Sequence, residues 1–471
     1  MASLKINFLY QIFYQILVVI SPLITAPYVA RVLGVDNSGI YSYTNTVASY
    51  FVILGMLGLE QYGNRCIAQV RDDKNELDRV FSELLFLHII VSVISILLFF
   101  VYCLSFESKF RTIFFLQGFY VFSTLFDINW FFFGIEKFKL TVTRNAIIKI
   151  LTVVATFVFV KSRDDLGVYT FILSFSILLS QLSIWPILRR YVSITRVPLP
   201  NILRHWKPLL ILFIAVLAAN LNRMIDKAML GWFDRISDLG CYDYADKIVR
   251  IPLGFIAAIG TVMLSRMSNM FVTRNDDSTK KILDVSTCLV LIISFGMGFG
   301  VAAVAPEFVP LFLGSEYSET VHLLVILSAS IPLVGWNNFV RTQILIPREM
   351  DKIYTRAVTI GAVVNILTNC FLIHFLGATG AAVATILSYA VMVILQTFPL
   401  IRELKHAFGY VFFPLIAGVV MFISVRLSSL ISHRLFFSVC IEFVVGVIVF
   451  GGLSFVYLKK RHRNIINAIM K

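Results

Sequence analysis

The chain has 471 residues, of which 58% are hydrophobic and 14% charged, with 43 phenylalanines and a formal net charge of +14. That composition excludes a soluble globular protein. The basic residues sit in short stretches between apolar runs rather than on one patch, which excludes nucleic acid as a partner.

A 19-residue hydropathy window predicts spans near 7–30, 41–62, 82–104, 112–133, 142–160, 167–188, 208–231, 244–265, 283–304, 318–340, 355–375, 379–401, 408–428 and 435–457. The expected fold class is therefore an all-α integral membrane protein of about 14 transmembrane helices. The first span follows Lys5 and holds Gln11, Gln15 and two prolines, so it is expected to stay as a helix rather than be cleaved as a signal peptide. Pro22 and Pro27 in span 1, Pro252 in span 8 and Pro332 in span 10 are expected to bend their helices.

Lys and Arg in alternate connections number about 28 on one side and about 8 on the other, which makes the rich side, with both termini, cytoplasmic. Gly39-Ile40-Tyr41-Ser42-Tyr43 after span 1 matches Gly240-Cys241-Tyr242-Asp243-Tyr244 after span 7, at an offset of 201. An even number of spans separates the copies, so they share an orientation. The chain is thus expected to divide into an N-lobe (residues 1–195, helices 1–6), a C-lobe (196–405, helices 7–12), an appended pair (406–458) and a basic cytoplasmic tail (459–471).

The six cysteines show no C-x-x-C spacing and read as apolar fillers. Asp72-Asp73, Asp164-Asp165 and Asp276-Asp277 read as solvated loop charges. There is no H-E-x-x-H, Walker A loop or nucleophile elbow, so no catalytic residue, metal or cofactor is expected.

The information lies in charges inside the spans, where each base costs about 2.5–3.5 kcal/mol at mid-helix and must pair, snorkel or face water. Asn220, Arg223, Asp226 and Lys227 share one stripe of helix 7, and Asp243, Asp246, Lys247 and Arg250 share one face of helix 8. Arg223 with Asp226 and Asp246 with Arg250 are the expected pairs, with Lys227 snorkelling; the same stripes are expected to line a wet cavity. Lys149 lies two turns inside helix 5 above Arg144, and Asp127 in helix 4 is either its partner or an ion-coupling group. Glu442 and His88 are expected to have a structural or lipid-edge role.

The stretches APYVARVLGVDNSGIYSYTNTVASYF, LGLEQYGNRCIAQVRDDK, DINWFFFGIEKFKLTVTRNAIIK, NRMIDKAMLGWF and LGCYDYADKIVRIPLGF resemble the polysaccharide repeat-unit flippases of Wzx type. These belong to the multidrug, oligosaccharidyl-lipid and polysaccharide exporter superfamily. The resemblance covers nearly the whole chain. It implies two pseudo-symmetric six-helix lobes around a central cavity, two C-terminal helices and alternating access. It also implies transport of an undecaprenyl-diphosphate-linked oligosaccharide from the inner to the outer leaflet of a bacterial cytoplasmic membrane, for capsule, O-antigen or another surface polysaccharide. The implied partners are that lipid-linked substrate, membrane lipids, a coupling ion (proton or sodium) and polysaccharide assembly proteins. For the diphosphate and sugars the candidates are Arg144, Lys149, Arg223, Lys227, Lys247 and Arg250; for ion coupling or charge pairing they are Asp127, Asp226 and Asp246. A multidrug antiporter for organic cations would call for a net acidic site, and a glycan polymerase for a large outer loop.

Overall fold

The computed structural model describes residues 2–106, 109–272, 276–431 and 434–461, without the side chains of 2–20, 215, 218, 219, 221–223, 265, 271–272, 276–281, 406 and 461. Every regular element among them is helical. In lipid a helix is the element that satisfies each backbone N–H and C=O within its own segment. Nine helices among the described residues are long and apolar enough to cross a membrane.

The elements used below are α1 (Ala2–Met56), α2 (Leu59–Val70), α3 (Lys74–Ser105), α4 (Arg111–Ser123), α5 (Asn129–Gly134), α6 (Phe138–Phe159), α7 (Leu166–Leu182), α8 (Trp185–Leu188), α9 (Leu199–Leu203), α10 (Trp206–Trp232) and α11 (Ile236–Val272). They continue with α12 (Asp276–Phe312), α13 (Ser318–Ser328), α14 (Ser330–Val340), α15 (Asp351–Thr397), α16 (Phe412–Ser428) and α17 (Leu435–Arg461). Helix α1 runs through Pro22 and Pro27, and its non-helical residue is Gly34 at φ 77°. Helix α15 is broken in the same way at Gly377, φ 55°. Glycine populates that region without Cβ strain, so these two residues, rather than the prolines, set the turns.

Contacts divide the chain into units Met1–Met224 and Ile225–Lys471. That division lies inside α10, since the crossover after α8 and the start of α10 pack on the first unit. Ile184, Leu188, Val192, Ile202 and Leu209 share a core with Leu77, Phe81, Leu84 and Trp130.

The fourth predicted span is interrupted. After α4 the chain makes a 3-10 turn over Thr124–Phe126 and restarts as α5. Three carbonyls at the break each receive a ring N–H: His88 Nε2 lies 2.7 Å from Thr124 O, which also accepts the Asp127 N–H at 3.0 Å, Trp185 Nε1 2.9 Å from Phe126 O, and Trp130 Nε1 3.1 Å from Asp127 O. Of the two roles expected for His88, structural or lipid-edge, its burial and this bond favour the structural one. Buried backbone carbonyls left unpaired would be costly, so these three rings hold the break in place.

Residues in and beside the two copies of the sequence pattern make related contacts. Tyr43 meets Phe114 edge-on at 5.6 Å, and Tyr244, 201 positions later, meets Tyr317 edge-on at 5.1 Å. Asn37 Nδ2 donates to Arg163 O at 2.7 Å, just before α7. Asp238, again 201 positions later, accepts from Ala378 N–H at 3.3 Å, just past the break in α15.

Candidate functional site

In the second unit, α10 and α11 are joined by a tight turn at Asp234, φ 56°. Lys227 and Asp243 stand at comparable distances on either side of that turn, so antiparallel packing sets them level. Lys227 Nζ is 2.7 Å from Asp243 Oδ1 and 2.8 Å from Asp246 Oδ2. Lys247 Nζ lies 2.6 Å from Asp243 Oδ2, and Arg250 Nε 2.9 Å from Asp246 Oδ2. The spacings of three and four along α11 place these four residues on one helix face, as the sequence indicates. The network holds three cations and two carboxylates, a net charge of +1. Its members differ in access: the Lys227 side chain is 13% exposed, against 44% for Lys247 and 39% for Arg250. The expected Asp246–Arg250 pair is present. Lys227 does not snorkel to the interface; it bridges both carboxylates, because they lie within reach and offer more than headgroup water would. The Arg223 side chain lies outside the described residues.

Asp226 sits one residue from Lys227 and faces other neighbours. Its carboxylate accepts from Asn369 Nδ2 at 2.5 Å, Thr385 Oγ1 at 2.7 Å and the Tyr242 hydroxyl at 2.8 Å. The residue is buried, and all three donors are neutral. Asn365 Oδ1 lies 3.2 Å from Asn369 Nδ2, while the buried Asn369 Oδ1 has no hydrogen-bond partner. The carboxylate of Asp226, the side-chain amides of Asn365 and Asn369 and the hydroxyls of Tyr242 and Thr385, from α10, α11 and α15, therefore gather at one point. No group of three or more His, Cys, Asp or Glu capable of holding a metal occurs among the described residues. Sequence reasoning missed Tyr242, Asn365, Asn369 and Thr385. The available signal was the i, i+4 pair of asparagines within an apolar run, which lie on one helix face.

In the first unit the expected Asp127–Lys149 pair is replaced by another arrangement. The break in span 4 puts Asp127 at the start of α5, where Oδ1 accepts the Asn129 N–H at 3.0 Å and Oδ2 accepts Gln181 Nε2 at 2.9 Å. Asn129 Nδ2 donates to Gln181 Oε1 at 3.1 Å, and Arg144 Nη2 donates to Asn129 Oδ1 at 2.9 Å. Arg144 also reaches Asn145 Oδ1 at 2.8 Å, where Ser180 Oγ donates at 2.9 Å. Arg144 and Asp127 are thus linked through neutral amides. Lys149 is half-buried further along α6 and is not among the partners of Asp127. Glu442 is fully buried on α17, its Oε1 taking Ser438 Oγ at 3.2 Å.

The sequence profile described as "Polysaccharide biosynthesis protein" matches residues 4–271, more than half of the chain. The chain belongs to that family. Within it, a candidate O-antigen transporter of Shigella dysenteriae is 23% identical over 380 residues, covering 79% of this chain and 94% of its own length. A protein of Escherichia coli K12 with the same description is 23% identical, covering 81% and 92%. A probable low-salt glycan biosynthesis flippase of Haloferax volcanii is 25% identical over 40% of this chain and 39% of its own. Among solved structures, the lipid II flippase MurJ in an inward closed conformation covers 97% of this chain and 99% of its own, with a TM-score of 0.77 at 14% identity. An outward-facing multidrug resistance transporter of the MATE family has a TM-score of 0.51 at 15% identity, with 86% and 94% covered. These two likenesses show the fold. The relatives named above are described as transporters and flippases, and none of them as an enzyme.

Proposed function

We propose that this transporter flips undecaprenyl-diphosphate-linked oligosaccharide repeat units from the inner to the outer leaflet of the bacterial cytoplasmic membrane, by alternating access of two six-helix lobes. The product would feed a capsule, O-antigen or other surface polysaccharide. The observation that carries this reading is the excess of cation over carboxylate in the α10–α11 network, with Lys247 and Arg250 as its exposed members. A diphosphate is a multivalent anion, and guanidinium binds its oxygens bidentately. Lys227 keeps the two carboxylates from cancelling the outer cations. An organic-cation antiporter would call for the opposite balance.

The turns at Gly34 and Gly377 split α1 and α15 into two spans each, which supports fourteen crossings with both termini cytoplasmic. The related contacts made by Tyr43 and Tyr244 and by Asn37 and Asp238, residues 201 positions apart, support equivalent lobes. For coupling, Asp226 is the favoured group. One carboxylate among neutral oxygens suits a single positive charge, a proton or a sodium ion, and leaves no room for charge balance with a divalent metal.

The test is complementation of a strain lacking its repeat-unit flippase, reading glycan at the cell surface by lectin. Arg250→Ala and Lys247→Ala variants present in the membrane at parental level should lose export, with Arg250→Lys recovering part of it. Parental export by both Ala variants refutes the assignment of these cations to substrate.

A further inference from the structure

Between the sixth and seventh predicted spans, residues 189–207 form a strap laid along the first turns of α3. Its inner side is tied down at successive positions. Lys74 Nζ donates to Tyr191 O at 2.8 Å, Asp78 Oδ1 accepts Ser193 N–H at 3.0 Å, and Ser82 Oγ accepts Thr195 N–H at 2.9 Å. Lys74, Asp78 and Ser82 are four residues apart and so form a rail along one helix face. Beyond them the fully buried Glu83 takes Arg204 Nη2 at 2.5 Å and His205 Nε2 at 2.9 Å. Burial holds the His205 imidazole below its ordinary pKa. The neutral ring therefore donates from Nε2 to Glu83 and accepts the Tyr62 hydroxyl at Nδ1, 2.8 Å away. Val192 and Ile202 complete the attachment by entering the core formed with Leu77, Val80 and Phe81. The strap is thus a fixed surface rather than a loose linker.

Its depth follows from α3. The rail from Lys74 to Glu83 climbs about 14 Å at 1.5 Å per residue, and the uncharged run of α3 begins at Leu84. The strap therefore lies where α3 passes from water through the headgroup layer into hydrocarbon.

Its outer side has two kinds of side chain. Arg189, Arg190, Arg196 and Lys207 are exposed and form no ion pair among the described residues. Interleaved with them are Ile194, Leu199, Leu203 and Trp206, which are 42% to 59% exposed. We propose that this outer face is a docking surface for the anionic phospholipid headgroups of the leaflet in which the strap lies, the basic groups on phosphates and the apolar groups at the glycerol and acyl boundary. The four cations are spread over the strap and separated by hydrocarbon. That pattern matches a field of single phosphates on a lipid surface, whereas one diphosphate would call for cations converging on one point. The inference needs only that the chain spans a membrane, and goes beyond the transport reading.

The full-length chain in phosphatidylcholine nanodiscs containing a minor fraction of phosphatidylglycerol provides the test, with bromine on the acyl chains of one lipid or the other. Quenching of Trp206 is read as the difference between the parent and Trp206→Phe. Brominated phosphatidylglycerol should quench several-fold more than the same fraction of brominated phosphatidylcholine. The excess should vanish when Arg189, Arg190, Arg196 and Lys207 are all changed to Gln, and in the parent it should shrink as salt is raised. Equal quenching by the two lipids in the parent overturns the proposal. So does loss of the excess on adding one equivalent of undecaprenyl diphosphate, which would give the face to a lipid-linked diphosphate instead.

Discussion

Replacing Lys227 with Met removes the one cation among the described residues that touches both Asp243 and Asp246 of α11, while keeping a side chain of similar length. Asp243 and Asp246 are three residues apart on one helix face, about 6 Å between side chains. At an effective dielectric constant near 20, two negative charges at that distance repel by about 3 kcal/mol. Lys247 and Arg250 remain paired with them at 2.6 Å and 2.9 Å and offset part of this. Breaking a buried pair costs about 3–5 kcal/mol when nothing replaces the partner. The expected destabilisation of Lys227→Met is therefore about 2–4 kcal/mol. The same change at the 44%-exposed Lys247 should cost less than about 1 kcal/mol after solvent screening. Unfolding in mixed micelles, followed by intrinsic fluorescence against denaturing detergent, measures both. Adding Asp243→Asn to Lys227→Met should recover more than about 1 kcal/mol, since it removes one of the two repelling charges. A Lys227→Met variant as stable as the parent, or no recovery in the double variant, refutes the bridging role.

At Gly377, with φ 55°, alanine strains the backbone and drives its Cβ into the Asp238 carboxylate, so Gly377→Ala should lower stability by about 1–3 kcal/mol or more in the same titration. Glu83→Gln removes the charge that holds Arg204 and His205. With Arg204 half-exposed the cost should be about 1–3 kcal/mol, and residues 191–205 should exchange amide hydrogens faster than in the parent. Asp165 accepts the N–H groups of Lys161 and Ser162, and these bonds hold its carboxyl below the usual carboxylate range. Its folded pKa is below the unfolded one, so its stabilisation of the 161–165 turn is complete above about pH 4 and is lost as pH falls through the folded value. Protection of those two amides should decline over that window in the parent and show no such dependence in Asp165→Asn.

The chain's class and the direction of its polar faces were legible because hydropathy and helical spacing act locally. Asp243, Asp246, Lys247 and Arg250 share a face by arithmetic alone, and Asp246 with Arg250 is an i, i+4 pair. What brought Lys227 onto both carboxylates was the tight turn at Asp234, whose geometry single-residue spacing does not encode. Asp127 was misplaced for a related reason. A continuous helix through 112–133 would set it level with Lys149, but the chain breaks at 124–128, where His88, Trp130 and Trp185 donate to the carbonyls of Thr124, Asp127 and Phe126. Two of those three donors come from outside the broken segment. The Asp226 cluster was hidden because its partners are Asn, Thr and Tyr, residues that carry no charge and barely disturb a hydropathy window.

Flipping itself is measured by reconstituting the purified chain into liposomes with a fluorescent undecaprenyl-diphosphate-linked oligosaccharide confined to one leaflet. The readout is the fraction of glycan reached by an impermeant glycosidase on the other side. The expected result is protein-dependent transfer that is lost in Arg250→Ala and competed by unlabelled lipid-linked oligosaccharide. Transfer no faster than in protein-free vesicles, under an imposed proton or sodium gradient of either direction, would contradict it.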